Sequence, residues 1–414
     1  MHQYKTSSLN RVLFVVLWLI NPLIALYIGI KNHNKISIVL TLVMFCAFYG
    51  TTIKLYEKDK DSSQYRDNFY QMYDQNITFN NFKESIFDGE TTFDVALPII
   101  SYTIALATRN EQILFLVFGA IFGLFYGKNL QFLFNLCEPI QKRNYLTIIL
   151  LLTFMLIVPF WSGLNGIRMW TAAHIFFYGA SRLISSNDKR SYLYILLAVL
   201  FHFSFVILAL ILTGFRFLPL KKYIIIYFTL FVFSFLVAET ATEQLVTIVR
   251  NYSPEFIQAK SEAYTKDVYV ETFQNKEKNY TWHAQIYQYV LKYSIVFLLI
   301  LTFIHRSKIK NETIIYFLTF ALIIFSFANI FSLLPSGARF YKIAYLFSLI
   351  PILYSSYNGH INKLAKYTVI PLLFWMVINI REGFDLISLG TIISNPILTF
   401  TSVANDIPLI DFIK

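Results

Sequence analysis

Apolar residues run along this chain in blocks of roughly 20, the length that carries a helix across a bilayer core about 30 Å thick. The blocks are Leu9–Ile30, Ile36–Tyr56, Thr92–Thr108, Gln112–Leu136, Tyr145–Phe160, Asn165–Ile184, Tyr192–Thr213, Tyr223–Ala238, Gln285–Ile304, Thr313–Phe331, Phe340–Tyr357 and Tyr367–Ile380. They predict an all-α, polytopic integral membrane protein with about 12 transmembrane helices, in a range of roughly 10 to 14. Polar stretches interrupt the pattern at 57–91, at 239–284 and after Arg381. The first two are expected as long extracytoplasmic loops carrying short amphipathic helices. No repeat or linker divides residues 1–414, so a single membrane domain is expected. Asn21-Pro22 breaks the first block and no small-residue cleavage site follows it, so it reads as a retained span.

Composition agrees with the pattern: 56% of residues are hydrophobic, 18% aromatic and only 14% charged. Mean hydropathy is +0.54, which excludes an ordinary soluble chain. The net charge of +11 comes from single basic residues and short clusters between blocks, not from a continuous basic face, so nucleic acid is not an expected partner. Cys46 and Cys137 both sit in apolar stretches, Cys137 directly after the block that ends at Leu136, and read as small buried hydrophobes.

Lys and Arg favour cytoplasmic loops. Lys31, Lys35, the run His305–Lys310, and Lys363 with Lys366 therefore assign their turns to the inside, and both long loops and the tail to the outside. One alternative changes the middle of the chain. If Thr92–Thr108 and Gln112–Leu136 are a re-entrant piece plus one span, everything after them reverses until a compensating error, and Lys142-Arg143 and Lys189-Arg190 move inside.

Ionisable residues within apolar blocks cost about 2.5 to 3.5 kcal/mol on insertion scales and so point to function or to a wet cavity. Gly163–His174 holds a Gly/Asn turn opening a helix, with Arg168 in its first turn and His174 beyond; a helix start with a cation suits an anion. The plain alternative is a snorkelling Arg and a satisfied interhelical His. His202 sits among aromatics near the middle of its block. Arg339 and Lys342 open the next-to-last block, as an anion clamp or as an interfacial anchor beside Tyr341. In the first long loop, Asp61, Glu90 and five other acidic residues accompany Tyr65, Phe69 and Tyr73 at a spacing of four, which predicts an amphipathic surface helix. Rings and carboxylates together are what a sugar site needs, although a solvated acidic face has the same pattern. Neither a nucleotide loop, nor metal-ligand spacing, nor a nucleophile elbow is present.

This arrangement resembles the EpsG/Wzy family of bacterial surface-polysaccharide polymerases. The likeness is carried by the acidic, tyrosine-bearing loop after the second block (Asp61 to Tyr65) and by Ile167-Arg168 with Ala172. Phe201-His202 with Ser204, and Arg339 opening a late block, carry the rest. The resemblance implies a membrane glycosyltransferase of the bacterial cytoplasmic membrane. Its substrate would be an undecaprenyl-diphosphate-linked oligosaccharide, polymerised at the extracytoplasmic face without metal or other cofactor. Arg168 and Arg339 would hold the diphosphate, Glu90, Asp61 or His202 would be the base, and Tyr65 and His174 would contact sugar. The bilayer and a chain-length regulator of the same pathway would be its partners. Counting every block as one crossing sets Arg168 on the cytoplasmic side, so this reading requires the re-entrant alternative. A flippase or transporter of lipid-linked oligosaccharide remains a distinct alternative, as does a membrane acyltransferase acting on polysaccharide; the absence of internal repeats weighs against a transporter.

Overall fold

The computed structural model describes residues 8–33, 36–54, 61–75, 77–87, 94–138, 144–217, 223–252, 282–332, 334 and 337–413. In chain order the helices begin with α1 (Ser8–Ile20), α2 (Pro22–Lys31), α3 (Ile38–Thr51), α4 (Asp61–Asp74), α5 (Phe79–Phe87), α6 (Ala96–Ala105) and α7 (Glu111–Leu136). There follow α8 (Tyr145–Ile157), α9 (Phe160–Asn165), α10 (Ile167–Ser186), α11 (Ser191–Phe201), α12 (Phe205–Phe217) and α13 (Ile224–Tyr252). The last are α14 (Trp282–Ile304), α15 (Glu312–Phe331), α16 (Arg339–Tyr357), α17 (Asn362–Ala365), α18 (Val369–Leu386), α19 (Gly390–Ile393) and α20 (Leu409–Ile413). Asn and Ser residues set many of the starts: Asn21, Ser37, Asn110, Asn144 and Asn311 each accept a hydrogen bond from an orphan amide of the helix they precede. Among the described residues β-structure is limited to one antiparallel bridge, Ser388 to Pro408.

Four helical stretches are long and apolar enough to cross a membrane, Glu111–Leu136, Tyr145–Asn165, Glu312–Phe331 and Asn362–Leu386, and several shorter apolar helices accompany them. Leu13, Ile225, Leu236, Ile370 and Val377 are exposed on the outside of the bundle, an apolar exterior compatible with lipid as solvent. The helices carrying Arg168 and Arg339, α10 and α16, are instead enclosed on nearly all sides, and Phe177 of one meets Phe347 of the other at 4.9 Å between ring centres.

The closest pair is α3 and α7. Gly119, Gly123 and Gly127 recur every fourth residue on one face of α7, and a Cβ at Gly119 would lie 2.0 Å from the Cys46 carbonyl oxygen. One at Gly123 would lie 2.4 Å from the Leu42 carbonyl oxygen, and one at Gly50 of α3 would lie 2.0 Å from that of Phe115. The two backbones are therefore in direct contact and antiparallel, the way small residues let helices associate where lipid removes the hydrophobic drive.

Contacts sort the turns into two ends. At one end His33 meets Phe134 and Phe132 meets Phe317. Asn144 donates to the Ser356 carbonyl at 3.0 Å, Arg216 reaches Asn187, Phe228 stacks on Phe303 at 3.8 Å, and His360 lies within electrostatic reach of His305 and Lys308. The short basic turns gather there. At the other end Tyr49 donates to the Leu386 carbonyl, Ser388 donates to the Thr52 carbonyl, Gln112 donates to the Thr399 carbonyl and Tyr65 meets Arg168. The described part of the first long loop, the far end of α13, the start of α14 and the tail share that end.

Two apolar blocks differ from expectation. The described part of Thr92–Thr108, residues 94–108, contains one helix, α6, whose 10 residues span about 15 Å, half a bilayer core, and both its ends stay at the loop end. Tyr192–Thr213 is not one helix: the chain turns at His202, which is extended (φ −154°, ψ 113°), and Arg216 at the end of α12 returns to Asn187, which caps the end of α10 just before α11. These two departures cancel in the parity of the chain, and they bring Arg168 to the same end as Arg339.

Candidate active site

Two polar sites lie at the loop end, on either side of the first turn of α10. Residues two apart on a helix point about 200° apart; Arg168 faces one site and Trp170 the other.

The first is centred on Asp94, in the segment just before α6. Its side chain is only 4% exposed. Arg168 Nη1 donates to Asp94 Oδ2 at 3.1 Å, His202 Nδ1 lies 3.1 Å from the same oxygen, and the Phe203 amide donates to Oδ1 at 2.7 Å. The turn at His202 frees that amide from helical pairing at the start of α12, and a carboxylate is its natural partner. Arg168 Nε also donates to Tyr65 Oη at 2.7 Å. Burial raises the Tyr65 phenol above its ordinary value more than the Arg168 charge lowers it, so Tyr65 stays neutral. Asp61, one turn before Tyr65 on α4, is close enough to act electrostatically on Arg168, and Ser62 donates to Asn165 Oδ1 at 3.1 Å. The anion that Arg168 holds is thus the chain's own carboxylate. The space beside it, about 90 Å³, is well under the roughly 300 to 1,000 Å³ of small-molecule sites.

The second site is a cavity of about 470 Å³ between α9, α10, α14, α16 and α18. Arg339 and Lys342, one turn apart on α16, and Lys292 on α14 bring three cations to it. Lys342 Nζ lies 4.6 Å from the centre of the Trp170 ring, and Lys292 Nζ donates to Tyr341 Oη. The Tyr341 hydroxyl is held in turn by Asn329 Oδ1 at 2.8 Å and Ser332 Oγ at 3.1 Å. The opposite wall is one face of α18, with Trp375, Asn379 and Glu382 at helical spacing. Tyr287 donates to Glu382 Oε2 at 3.0 Å. Trp161 lies flat on this wall because Gly383 has no side chain; a Cβ there would lie 2.9 Å from the indole. Three cations, one carboxylate and several rings facing one volume can bind a strongly anionic group beside a sugar and accept a proton next to it.

The sequence-predicted residues divide accordingly. Asp61, Tyr65, Arg168 and His202 come together around Asp94, while Arg339 lines the other cavity. Arg168 and Arg339 therefore line different cavities. His174 lines neither: it is fully buried, with Asn129 Nδ2 2.9 Å from its carbonyl and 3.1 Å from Nδ1, and it packs against Phe122 and Tyr126. His174 therefore packs within the core of the bundle. Glu90 lies outside the described residues.

Asp94, Lys292, Asn379 and Glu382 were missed. Lys292 lies within an apolar block and met the criterion applied to Arg168; Glu382 falls just past a block end, and Asp94 just inside one.

The profile of the EpsG family matches residues 37–388 of the chain. No curated protein and no solved structure matches it.

Proposed function

Because the chain belongs to the EpsG family, which is associated with polysaccharide polymerisation, we propose that its larger cavity transfers a glycan chain between lipid-linked oligosaccharides. The observation that carries this is the meeting of Arg339, Lys342 and Lys292 with Glu382 in one aromatic-walled volume of sugar-binding size. An acceptor hydroxyl attacks the anomeric carbon of the growing chain, its proton passing to Glu382. The bond from that carbon to the undecaprenyl diphosphate breaks, and the electron pair leaves with the diphosphate, whose charge the three cations neutralise. The acceptor keeps its own lipid diphosphate and is one repeat longer.

The topology we assign has twelve crossings: α1 with α2, then α3, α7, α8, α10, α11, α12, α13, α14, α15, α16 and α18. The basic end is cytoplasmic, as Lys and Arg prefer. Both long loops, the tail and the cavity then face outward, where flipped lipid-linked units are met. Counting Thr92–Thr108 out and splitting Tyr192–Thr213 at His202 supports this assignment.

A second reading makes His202 the base, because Asp94 holds its Nδ1 as a carboxylate holds a catalytic imidazole. The small volume beside Asp94 favours Glu382.

The test is deletion of the gene in its native host, with surface polysaccharide resolved by gel. Collapse to single repeats, restored by wild type and not by Glu382→Gln, supports polymerisation. Loss of all surface glycan with lipid-linked units retained inside indicates a flippase, and an unchanged ladder overturns both.

A further inference from the structure

Asn379 occupies the middle of the α18 wall, between Trp375 one turn before it and Glu382 one turn after. It is only 8% exposed, and its Oδ1 accepts no hydrogen bond among the described residues. A buried amide oxygen without a donor costs stability, which a ligand donor would recover. Several other polar groups of this cavity are engaged: Glu382 by Tyr287, Lys292 by Tyr341, and Tyr341 by Asn329 and Ser332. The cations lie on α14 and α16, whereas Asn379 shares its wall with two indoles, Trp161 and Trp375. Asn379 therefore lies beside two rings, on a helix that brings none of the three cations to the cavity.

Resting on the glycosyl-transfer reading, we infer that Asn379 is a specificity-determining residue. Its amide reads a hydroxyl or amide hydrogen of the pyranose attached to the diphosphate, with Trp161 or Trp375 against the apolar face of the ring. The substrate class is a neutral hexopyranosyl diphosphate; an acidic sugar would set a second carboxylate beside Glu382.

Trp161, Trp170 and Trp375, three of the chain's five tryptophans, line the cavity and supply an intrinsic signal. Fluorescence quenching of the full chain in nanodiscs would be titrated with farnesyl diphosphate and with farnesyl diphosphates carrying glucose, galactose or N-acetylglucosamine. Wild type is expected to bind at least one glycosylated probe about tenfold more tightly than farnesyl diphosphate, the increment of one good hydrogen bond. Asn379→Leu, close in volume and without the polar atoms, is expected to bring that ratio near one while farnesyl diphosphate still binds. Asn379→Ala repeats the comparison if the larger side chain unsettles the fold. A preference undiminished in a variant that folds overturns the inference and leaves the glycosyl-transfer reading intact. Wild type that binds farnesyl diphosphate without preferring any sugar does the same, and wild type that binds none of the probes overturns both.

Discussion

Asp94 Oδ2 lies 3.1 Å from His202 Nδ1, joining residues 108 apart in sequence and fastening the segment before α6 to the turn between α11 and α12. Because the same carboxylate also accepts from Arg168 and the Phe203 amide, it closes the loop end of α10 against two neighbouring elements. Asp94→Ala leaves a cation and an amide without their acceptor in a buried place. We expect a loss of about 3 kcal/mol, read as a lower melting temperature of the purified protein. Asp94→Ala with Arg168→Ala should lose less than the sum of the single changes. Strict additivity would mean that the pair is not coupled.

The α3–α7 contact predicts a second set of effects. Gly119→Leu and Gly123→Leu drive a side chain into carbonyls of α3 that a Cβ alone already reaches at 2.0 and 2.4 Å. Strong destabilisation, about 3 kcal/mol or more, is expected as loss of the monodisperse peak on size exclusion. Gly214→Leu, where nothing lies within 4 Å of the added Cβ, is the matched control and should be tolerated.

The proposed topology predicts sidedness. Cysteines at Asp67 and Val403 are expected to label with an impermeant maleimide in intact cells, and one at Lys189 only after permeabilisation. Both native thiols are buried, which keeps the background low. Labelling of the Lys189 position from outside would reverse the orientation.

The cavity predicts unequal losses. Glu382→Gln should lower polymer formation by roughly 10²- to 10⁴-fold, the range of a general base. Arg339→Ala or Lys342→Ala should each cost roughly 10²-fold or more, as removal of one charge partner of the leaving group. Membrane abundance measured by immunoblot separates these effects from misfolding. His174→Asn should act through abundance alone.

Much of this was legible in the sequence. Lipid forces backbone hydrogen bonds into helices, so the apolar blocks announced them, and the acidic loop's period of four announced α4 with Phe69 buried. The Gly-x-x-x-Gly spacing of α7 was equally plain and went unread. What the sequence concealed is direction: by composition α6 looks like a span and the two arms around His202 look like one, and only contacts such as Arg216 to Asn187 reveal that the chain doubles back. The site was half legible for a related reason. Charges in apolar blocks flag themselves singly, as Arg168 and Arg339 did. Which of them share a cavity depends on helix rotation, and that paired Arg168 with Asp94 and Arg339 with Glu382's wall.

Reconstitution decides whether this cavity joins lipid-linked repeats. Lipid-linked oligosaccharide extracted from the deletion strain would be incubated with the purified protein in liposomes, and the products resolved by gel. A ladder of increasing repeat number with wild type, and single units with Glu382→Gln of equal abundance and melting temperature, is the expected result. Single units with wild type would mean that the protein does not polymerise these units, and an undiminished ladder with Glu382→Gln would mean that Glu382 is not the base.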